Sequence, residues 1–489
     1  MSYVIALDEG TTSTRAVLYN TRTERIEKVK SVNIGQHYPK PSFVEESATE
    51  IYSASYAALM EIFEETDVNL IEGVGITNQR ESVVAWSRST QKPLYNAIIW
   101  QCRRTADYCE ALENEGYLPM ISKKTGLKID PYFSATKMRW LLLNVPEVRA
   151  AAEKGDLCFG TIDSFLIFKL TGGKSFVTDY TNASRTMLYN INTMDWDDEL
   201  LDLFSVKREY LPRVVAPDEV VGEFTYGGRT IKIAGIAGDQ QAAVVGQGCF
   251  ERGLAKITYG TGMFMLFNLG DEFKLSKKGL LTTLGYGKKP TFMFEGSVFN
   301  AGSTVQWLRD GLGFFDKSSE SEELALSVGD NGGVYVVPAF TGLGAPYWIS
   351  DARGMITGLT RGTTKAHITR AALESMAYSA KDIVDVMINE GGLTLTELRV
   401  DGGASRNDFL MQFQSDVLNI AVDRPCEKES TALGAAYLCQ IALGMKKIED
   451  IEKIRVSEKR FTPEGDSEKY RRYYTEWQKA VRRCIYDKR

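Results

Sequence analysis

The sequence predicts an α/β protein of two large, related domains with a cleft between them, and three observations carry that expectation. The chain has 489 residues, more than a single hydrophobic core usually organises. A strand–turn–strand pattern rich in glycine and hydroxyl groups opens the chain at Tyr3–Tyr19 and is echoed half a chain later at Ala255–Phe267. Between and after these hairpins, short β-prone runs end in polar residues, and open α/β sheets bind ligands at their strand ends. The expected boundary divides residues 1–246 from 247–489.

Composition narrows the function classes. A formal net charge of −6, with no block of five like charges, argues against nucleic acid as a partner. An anionic ligand must then be held by local donors and a metal, not by the field of the whole protein. The seven cysteines are scattered and contain no C-x-x-C pair, as in a reduced, cytoplasmic protein. No apolar run approaches the ~18 residues of a membrane span. His37 and His367 each lack neighbours at metal-ligand spacing, which argues against zinc chemistry and against a Ser-His-Asp triad.

In the first hairpin, Tyr3–Leu7 and Ala16–Tyr19 are the strands. Gly10 lets the backbone come close to a ligand. Thr11, Thr12 and Ser13 offer amide and hydroxyl donors to phosphate oxygens, and Arg15 can add a charge-assisted bond. Asp8, at the strand end, is placed to hold a hydrated divalent cation on those phosphates. Ser47-Ala-Thr-Glu50 reads as a capping box opening a helix with Ile51, Leu59, Ile62 and Phe63 inward. Ile71–Thr77 is a strand that delivers Asn78, Gln79, Arg80 and Glu81, and Leu94–Trp100 is a second strand-like run ending in aromatic and polar residues. Asp130-Pro131 makes a turn with Tyr132 at its tip before another helix.

Phe159–Leu170 reads as helix and Val177–Leu188 as strand, separated by Thr171-Gly-Gly173. Gly172-Gly-Lys-Ser175 is not a P-loop, because Phe168 occupies the place of the first required glycine. Ile231–Ile236 is a strand leading to Gly238, Asp239, Gln240 and Gln241, then to the small residues of a tightly packed helix. The second hairpin turns at Gly260-Thr261-Gly262, flanked by Phe264. Two hydroxyl-rich hairpins suit a clamp that grips a triphosphate from two lobes. Gly302 and Gln306 lie where a glycine turn enters a helix. Leu398–Asp401 runs into Gly402-Gly403, where a flat ring can slide along backbone, and Asn407 begins the next helix.

Together these stretches resemble the glycerol kinase family of the carbohydrate kinase superfamily, whose fold is a pair of actin-like (ribonuclease H-like) ATPase domains. The resemblance runs end to end, through Asp8–Arg15, Gly75–Glu81, Tyr95–Arg104, Asp130–Phe133, Thr178–Thr186, Gly235–Gln241, Val334–Trp348 and Arg399–Ser415. It implies ATP-dependent phosphorylation of glycerol with Mg²⁺, the first step of glycerol catabolism, by a cytoplasmic homo-oligomer of two or four chains. The polyol would meet Arg80, Glu81, Tyr132, Asp239 and Gln240, with Trp100 and Phe264 as the apolar wall, and Asp239 would be the general base. Thr11, Thr12, Ser13, Arg15 and Thr261 would grip phosphates; Gly302, Gln306, Gly403 and Asn407 would line the nucleotide; Asp8 and Asp239 would sit near the metal. The implied division gives most of the polyol site to the N-terminal domain and most of the nucleotide site to the C-terminal one.

The chain departs from that family pattern in places. Glu9 stands where an amide is common, and Ser42–Ser47 differs from the usual Gly-Trp-Val-Glu-His-Asp. Gly222–Ile233 lacks the fuller loop through which some relatives bind fructose bisphosphate. With no histidine between His37 and His367, a histidine-phosphorylation switch is not expected.

Overall fold

The computed structural model describes residues 2–287, 289–349 and 351–486. The chain forms two compact units, the first of Met1–Gly248, Thr282–Thr291 and Ser430–Arg455, the second of Cys249–Leu281, Phe292–Glu429 and Val456–Arg489. Packing therefore assigns two short returns of the later sequence to the first unit.

The first unit is built on a sheet of six strands: β1 (Tyr3–Glu9), β2 (Ser13–Asn20), β3 (Arg25–Asn33), β4 (Ile71–Asn78), β5 (Val220–Tyr226) and β6 (Arg229–Gly238). Their order is β5-β6-β4-β1-β2-β3, with β1, β4 and β6 parallel and the others antiparallel to their neighbours. β1 is buried from Tyr3 to Leu7, as a central strand covered on both faces must be, whereas β3 alternates exposed and half-buried residues along its edge. The β5–β6 connection is a two-residue turn, Gly227-Gly228, with both φ angles positive, the backbone that a tight hairpin requires.

Helix α1 (Ala48–Glu64) buries Ile51, Leu59, Ile62 and Phe63 as the periodicity predicts. Only half of its capping box forms. Ser47 Oγ accepts from Glu50 N at 3.2 Å, but the Glu50 carboxylate turns to the amide of Gly35, 3.0 Å away. Two further helices position the site, α2 (Ser134–Asn144) and α3 (Asp239–Gly246). The helix Ser430–Ala442 lies so close to α3 and the sheet that side chains are excluded: a Cβ on Gly434 would stand 1.8 Å from the carbonyl oxygen of Ala242, and one on Gly75 2.3 Å from that of Ala435.

The second unit repeats the plan. Six consecutive strands of its sheet are β7 (Ala255–Tyr259), β8 (Met263–Gly270), β9 (Thr291–Val298), β10 (Glu397–Gly402), β11 (Ala421–Pro425) and β12 (Ser457–Phe461), in the order β9-β8-β7-β10-β11-β12. β7, β10 and β11 are parallel, and β7–β8–β9 form the antiparallel meander. A meander joined through its first strand to two parallel strands thus occurs in both units. Helices α4 (Lys365–Gly391) and α5 (Asp408–Leu418) close its core, where Tyr378 stacks on Trp477 at 5.5 Å.

Two expected strands are shorter than the sequence suggests. Of Leu94–Trp100 only Ala97–Ile98 pairs, because the chain turns directly afterwards, with Cys102 N bonded to the Ile99 carbonyl. Of Val177–Leu188 only Val177–Asp179 is strand. The Asp179 carboxylate accepts from the amides of Thr181 and Asn182 and so starts the helical turn Tyr180–Ala183.

Candidate active site

The register of the first sheet aligns Glu9 and Gly238 with Asn78, so three parallel strands end together. Their carboxyl ends bring Asp8, Arg80, Glu81 and Asp239 to one edge of the sheet, where open α/β sheets bind ligands. Asp239 is the first residue of α3 and keeps 32% of its side chain exposed, while Arg80 is buried beneath it. Arg80 Nε lies 3.1 Å from Asp239 Oδ1, and Arg80 Nη1 donates to Gln241 Oε1 at 3.3 Å. This path needs Gly238, since a Cβ there would lie 2.6 Å from Arg80 Cγ. Asp239 is therefore an aimed carboxylate with a buried cation behind it. Gln240 follows, largely buried in the first turn of the same helix.

Glu81 has a positive φ of 62°, rare for a residue with a Cβ, and the amide of Ser82 closes a tight turn around it by bonding the Arg80 carbonyl at 2.8 Å. Arg185, buried and missed in the sequence reading, places its Nε 2.6 Å from Glu81 Oε1 and its guanidinium over the Tyr132 ring at 5.6 Å. Its presence in the conspicuous stretch Thr178–Thr186 was the available signal. Tyr132 is buried, not a free loop tip, and meets Trp100 edge to face with ring centroids 5.8 Å apart. Trp100 Nε1 in turn donates to Thr11 Oγ1 at 3.0 Å, tying this aromatic wall to the first hairpin turn.

In that turn Gly10 N bonds the Ser13 carbonyl at 3.0 Å and the Thr12 carbonyl accepts from Ile34 N at 3.0 Å. Arg15 sits on β2 opposite Asp8. Glu9 is wholly buried. The side-chain amide of Gln79 donates to Glu9 Oε1 at 3.2 Å and to Glu46 Oε2 at 2.8 Å, so two of the chain's departures from its family pattern meet on one group. Burial, then repulsion from Glu46, pushes Glu9 well above the usual carboxylate range, and burial raises Glu46 to about 7. Glu9 thus holds its proton more tightly than an exposed glutamate does. Asp8 and Asp239 also repel Glu9, which sets both carboxylates close to the same strand end. Among the described residues no three His, Cys, Asp or Glu side chains form a metal cage. A magnesium ion that keeps most of its water needs only one or two carboxylates, and Asp8 and Asp239 fit that requirement.

The second unit contains a cavity of about 470 Å³. Thr261, Gly302, Gln306, Gly403 and Asn407 all line it, together with Arg309 and Ser318, which the sequence reading did not single out. The hairpin turn Gly260–Gly262 is sewn to the start of the helix Gly302–Gln306: Gly302 N bonds the Gly260 carbonyl and Ser303 N the Thr261 carbonyl, each at 3.1 Å. A Cβ on Gly302 would lie 2.5 Å from the Gly260 oxygen. Gly403 differs, because a Cβ there would meet no protein atom within 4 Å; its open side belongs to the cavity. Asn407 caps α5, accepting from Leu410 N at 2.8 Å. Phe264 is half-buried on β8, opposite Thr258.

The chain as a whole matches known proteins. The family model for the N-terminal domain of the FGGY carbohydrate kinases matches residues 3–246, and that for the C-terminal domain matches 255–443. A glycerol kinase of Bacillus cereus (strain AH187) is 51% identical over 487 residues, covering 98% of each chain. The crystal structure of Plasmodium falciparum glycerol kinase with ADP superposes with a TM-score of 0.91 at 37% identity, covering 99% of this chain and 98% of that one. A xylulose kinase from Lactobacillus acidophilus, at 24% identity and a TM-score of 0.89 over 100% of this chain and 99% of its own, shares the fold. Full-length matches of this kind show that the chain belongs to the FGGY family of carbohydrate kinases.

Proposed function

We propose that this protein is a glycerol kinase, transferring the γ-phosphoryl group of ATP to a primary hydroxyl of glycerol to give glycerol 3-phosphate and ADP. The observation that carries this reading is the partly exposed Asp239 carboxylate, aimed by buried Arg80 at a strand end that also holds Glu81, Tyr132 and Trp100. Glycerol offers three hydroxyls and a short apolar face. Arg80, Glu81, Asp239 and Gln240 supply donors and acceptors for the hydroxyls, and Trp100, Tyr132 and Phe264 supply apolar contact.

Asp239 accepts the proton of the attacking hydroxyl as its oxygen bonds to the γ-phosphorus and ADP departs. Thr11, Thr12, Ser13, Arg15 and Thr261 bind phosphate oxygens, while Gly302, Gln306, Gly403 and Asn407 take the nucleoside. Asp8 and Asp239 would hold a hydrated Mg²⁺, which neutralises charge on the phosphates when bound. Polyol recognition thus falls mainly to residues 1–246 and nucleotide recognition to 247–489. The family resemblance extends to a cytoplasmic homo-oligomer of two or four chains, which sedimentation would test. Among the described residues, no helix is long and apolar enough to cross a membrane.

The deciding experiment measures ADP formed from Mg-ATP with and without glycerol, for the wild type and Asp239→Asn. Glycerol-stimulated turnover that the variant loses, while still binding both substrates, supports the reading. Stimulation by a different polyol or sugar alone would replace the substrate, and a basal ATPase indifferent to all of them would remove the kinase reading.

A further inference from the structure

We propose that Lys137 is a positioning residue of the polyol site, holding the main chain of Glu81 and Tyr132 in the geometry that reads substrate hydroxyls. The inference rests on the assignment of those two residues to glycerol. Lys137 lies on α2 and is among the largest fully buried side chains of the protein. Its Nζ donates to the carbonyl oxygen of Glu81 at 3.2 Å and to that of Tyr132. Among the described residues it makes no ion pair. Two neutral carbonyls compensate a buried ammonium poorly, and burial lowers Lys137 to about 8.

What the lysine holds is a strained turn. The positive φ of Glu81 persists only if its surroundings over-determine it. Its carbonyl accepts from Lys137 and, at 3.1 Å, from Ser134 Oγ one turn earlier on the same helix, while its carboxylate is held by Arg185. Lys137 grips the Glu81 turn and the Tyr132 loop by their main chains, and Arg185 grips them by their side chains. Two cations thus clamp two segments that lie far apart in sequence. The hydrogen bonds of Lys137 go to backbone oxygens while the Glu81 carboxylate also attracts its charge, so its removal should loosen the site without deleting a group that touches the substrate.

The test is Lys137→Met, which keeps the volume and removes the donors, assayed beside the wild type with full Mg-ATP kinetics. Residues that bind glycerol equally in ground and transition states affect KM alone, so glycerol KM should rise about tenfold or more, with kcat within about threefold and ATP KM within about twofold. The preference for glycerol over propane-1,2-diol should shrink in parallel, because a loosened Glu81 and Tyr132 no longer penalise a missing hydroxyl. A glycerol KM within about twofold of wild type, or a uniform fall in kcat with both KM values altered together, overturns the proposal. If Lys137→Met does not fold, Ser134→Ala, which removes the other donor to the same carbonyl, must raise glycerol KM by about threefold, and no rise overturns it. A wild type without glycerol-dependent turnover would refute the substrate assignment and this inference with it. An active wild type with an unaffected variant refutes this inference alone.

Discussion

The edge of the first sheet and the cavity of the second unit use the same sheet plan to opposite ends. At the first sheet edge the groups are charged side chains held by buried partners: the partly exposed Asp239 by Arg80, Glu81 by Arg185, and Lys137 on two carbonyls. In the second unit the cavity is walled largely by glycines, hydroxyls and amides, with Arg309, Glu322 and Arg406 also on its lining, and backbone bonds join a hairpin turn to a helix start along it. On the proposed assignment of glycerol to the first and a nucleoside to the second, the contrast follows ligand size. Glycerol has too little surface to be bound by shape, so fixed donors and acceptors must recognise it, whereas a nucleoside has broad faces that a backbone-lined slot can enclose.

The largest expected effect belongs to Asp239→Asn, which should lower kcat by about 10²–10⁴, the usual worth of a general base, with little change in ATP binding. Arg185→Met comes next. It removes the cation 2.6 Å from the buried Glu81 carboxylate and leaves Arg80 Nε at 3.9 Å, so a loss of stability of up to about 3–5 kcal/mol is expected, measurable by denaturant unfolding with and without glycerol. Stability within error of the wild type would mean that the ion pair is not what holds Glu81.

Two glycine substitutions sharpen the other side of the comparison. Gly302→Ala drives a Cβ into the Gly260 carbonyl and should lower both melting temperature and ATP affinity. Gly403→Val meets no protein atom at its Cβ, so the melting temperature should hold while ATP KM rises several-fold. Equal effects on stability from the two substitutions would break the distinction between a glycine required by packing and one required by ligand.

The smallest effect concerns Glu46. Its pKa is raised from about 4.5 to about 7 by burial, so the folded protein holds this proton more tightly than the unfolded chain. Stability linked to it is fully present below about pH 4.5 and is lost as pH rises through about 7. Glu46→Gln should remove that slope, and the wild type should lose melting temperature relative to the variant across this window. Parallel curves would show that Glu46 does not titrate there.

Much of the first sheet was legible because its signals are local. The hairpin Tyr3–Asn20, the inward face of α1 and the strand delivering Arg80 and Glu81 follow from β-branched runs, helical periodicity and glycine turns. The lengths of the later strands were not legible, since Asp179 prefers to cap a helical turn, a choice made by side-chain hydrogen bonds that periodicity does not report. Arg185 and Lys137 were missed for a related reason. Lys137 reads in sequence as a packing residue of its helix and Arg185 as one member of a matching stretch, and only what each faces once buried gives it a role. Glu9 and the Ser42–Ser47 segment stood out separately as departures from the family pattern, with nothing in the sequence to join them; in the fold Glu9 and Glu46 share the amide of Gln79.

By itself the sequence determined the two-domain α/β class, the two hydroxyl-rich hairpins, the polar groups at each strand end and the family these compose. These depend on near neighbours in the chain, where propensity, periodicity and turn chemistry act directly. Tertiary structure alone decided that Ser430–Arg455 packs with the first unit and that Glu81 adopts a strained turn. It also decided which charges are buried and what each one faces. Such outcomes depend on contacts between distant segments, where a 1.8 Å steric limit at Gly434 or a 2.6 Å ion pair at Glu81 selects one arrangement among many that local preference allows.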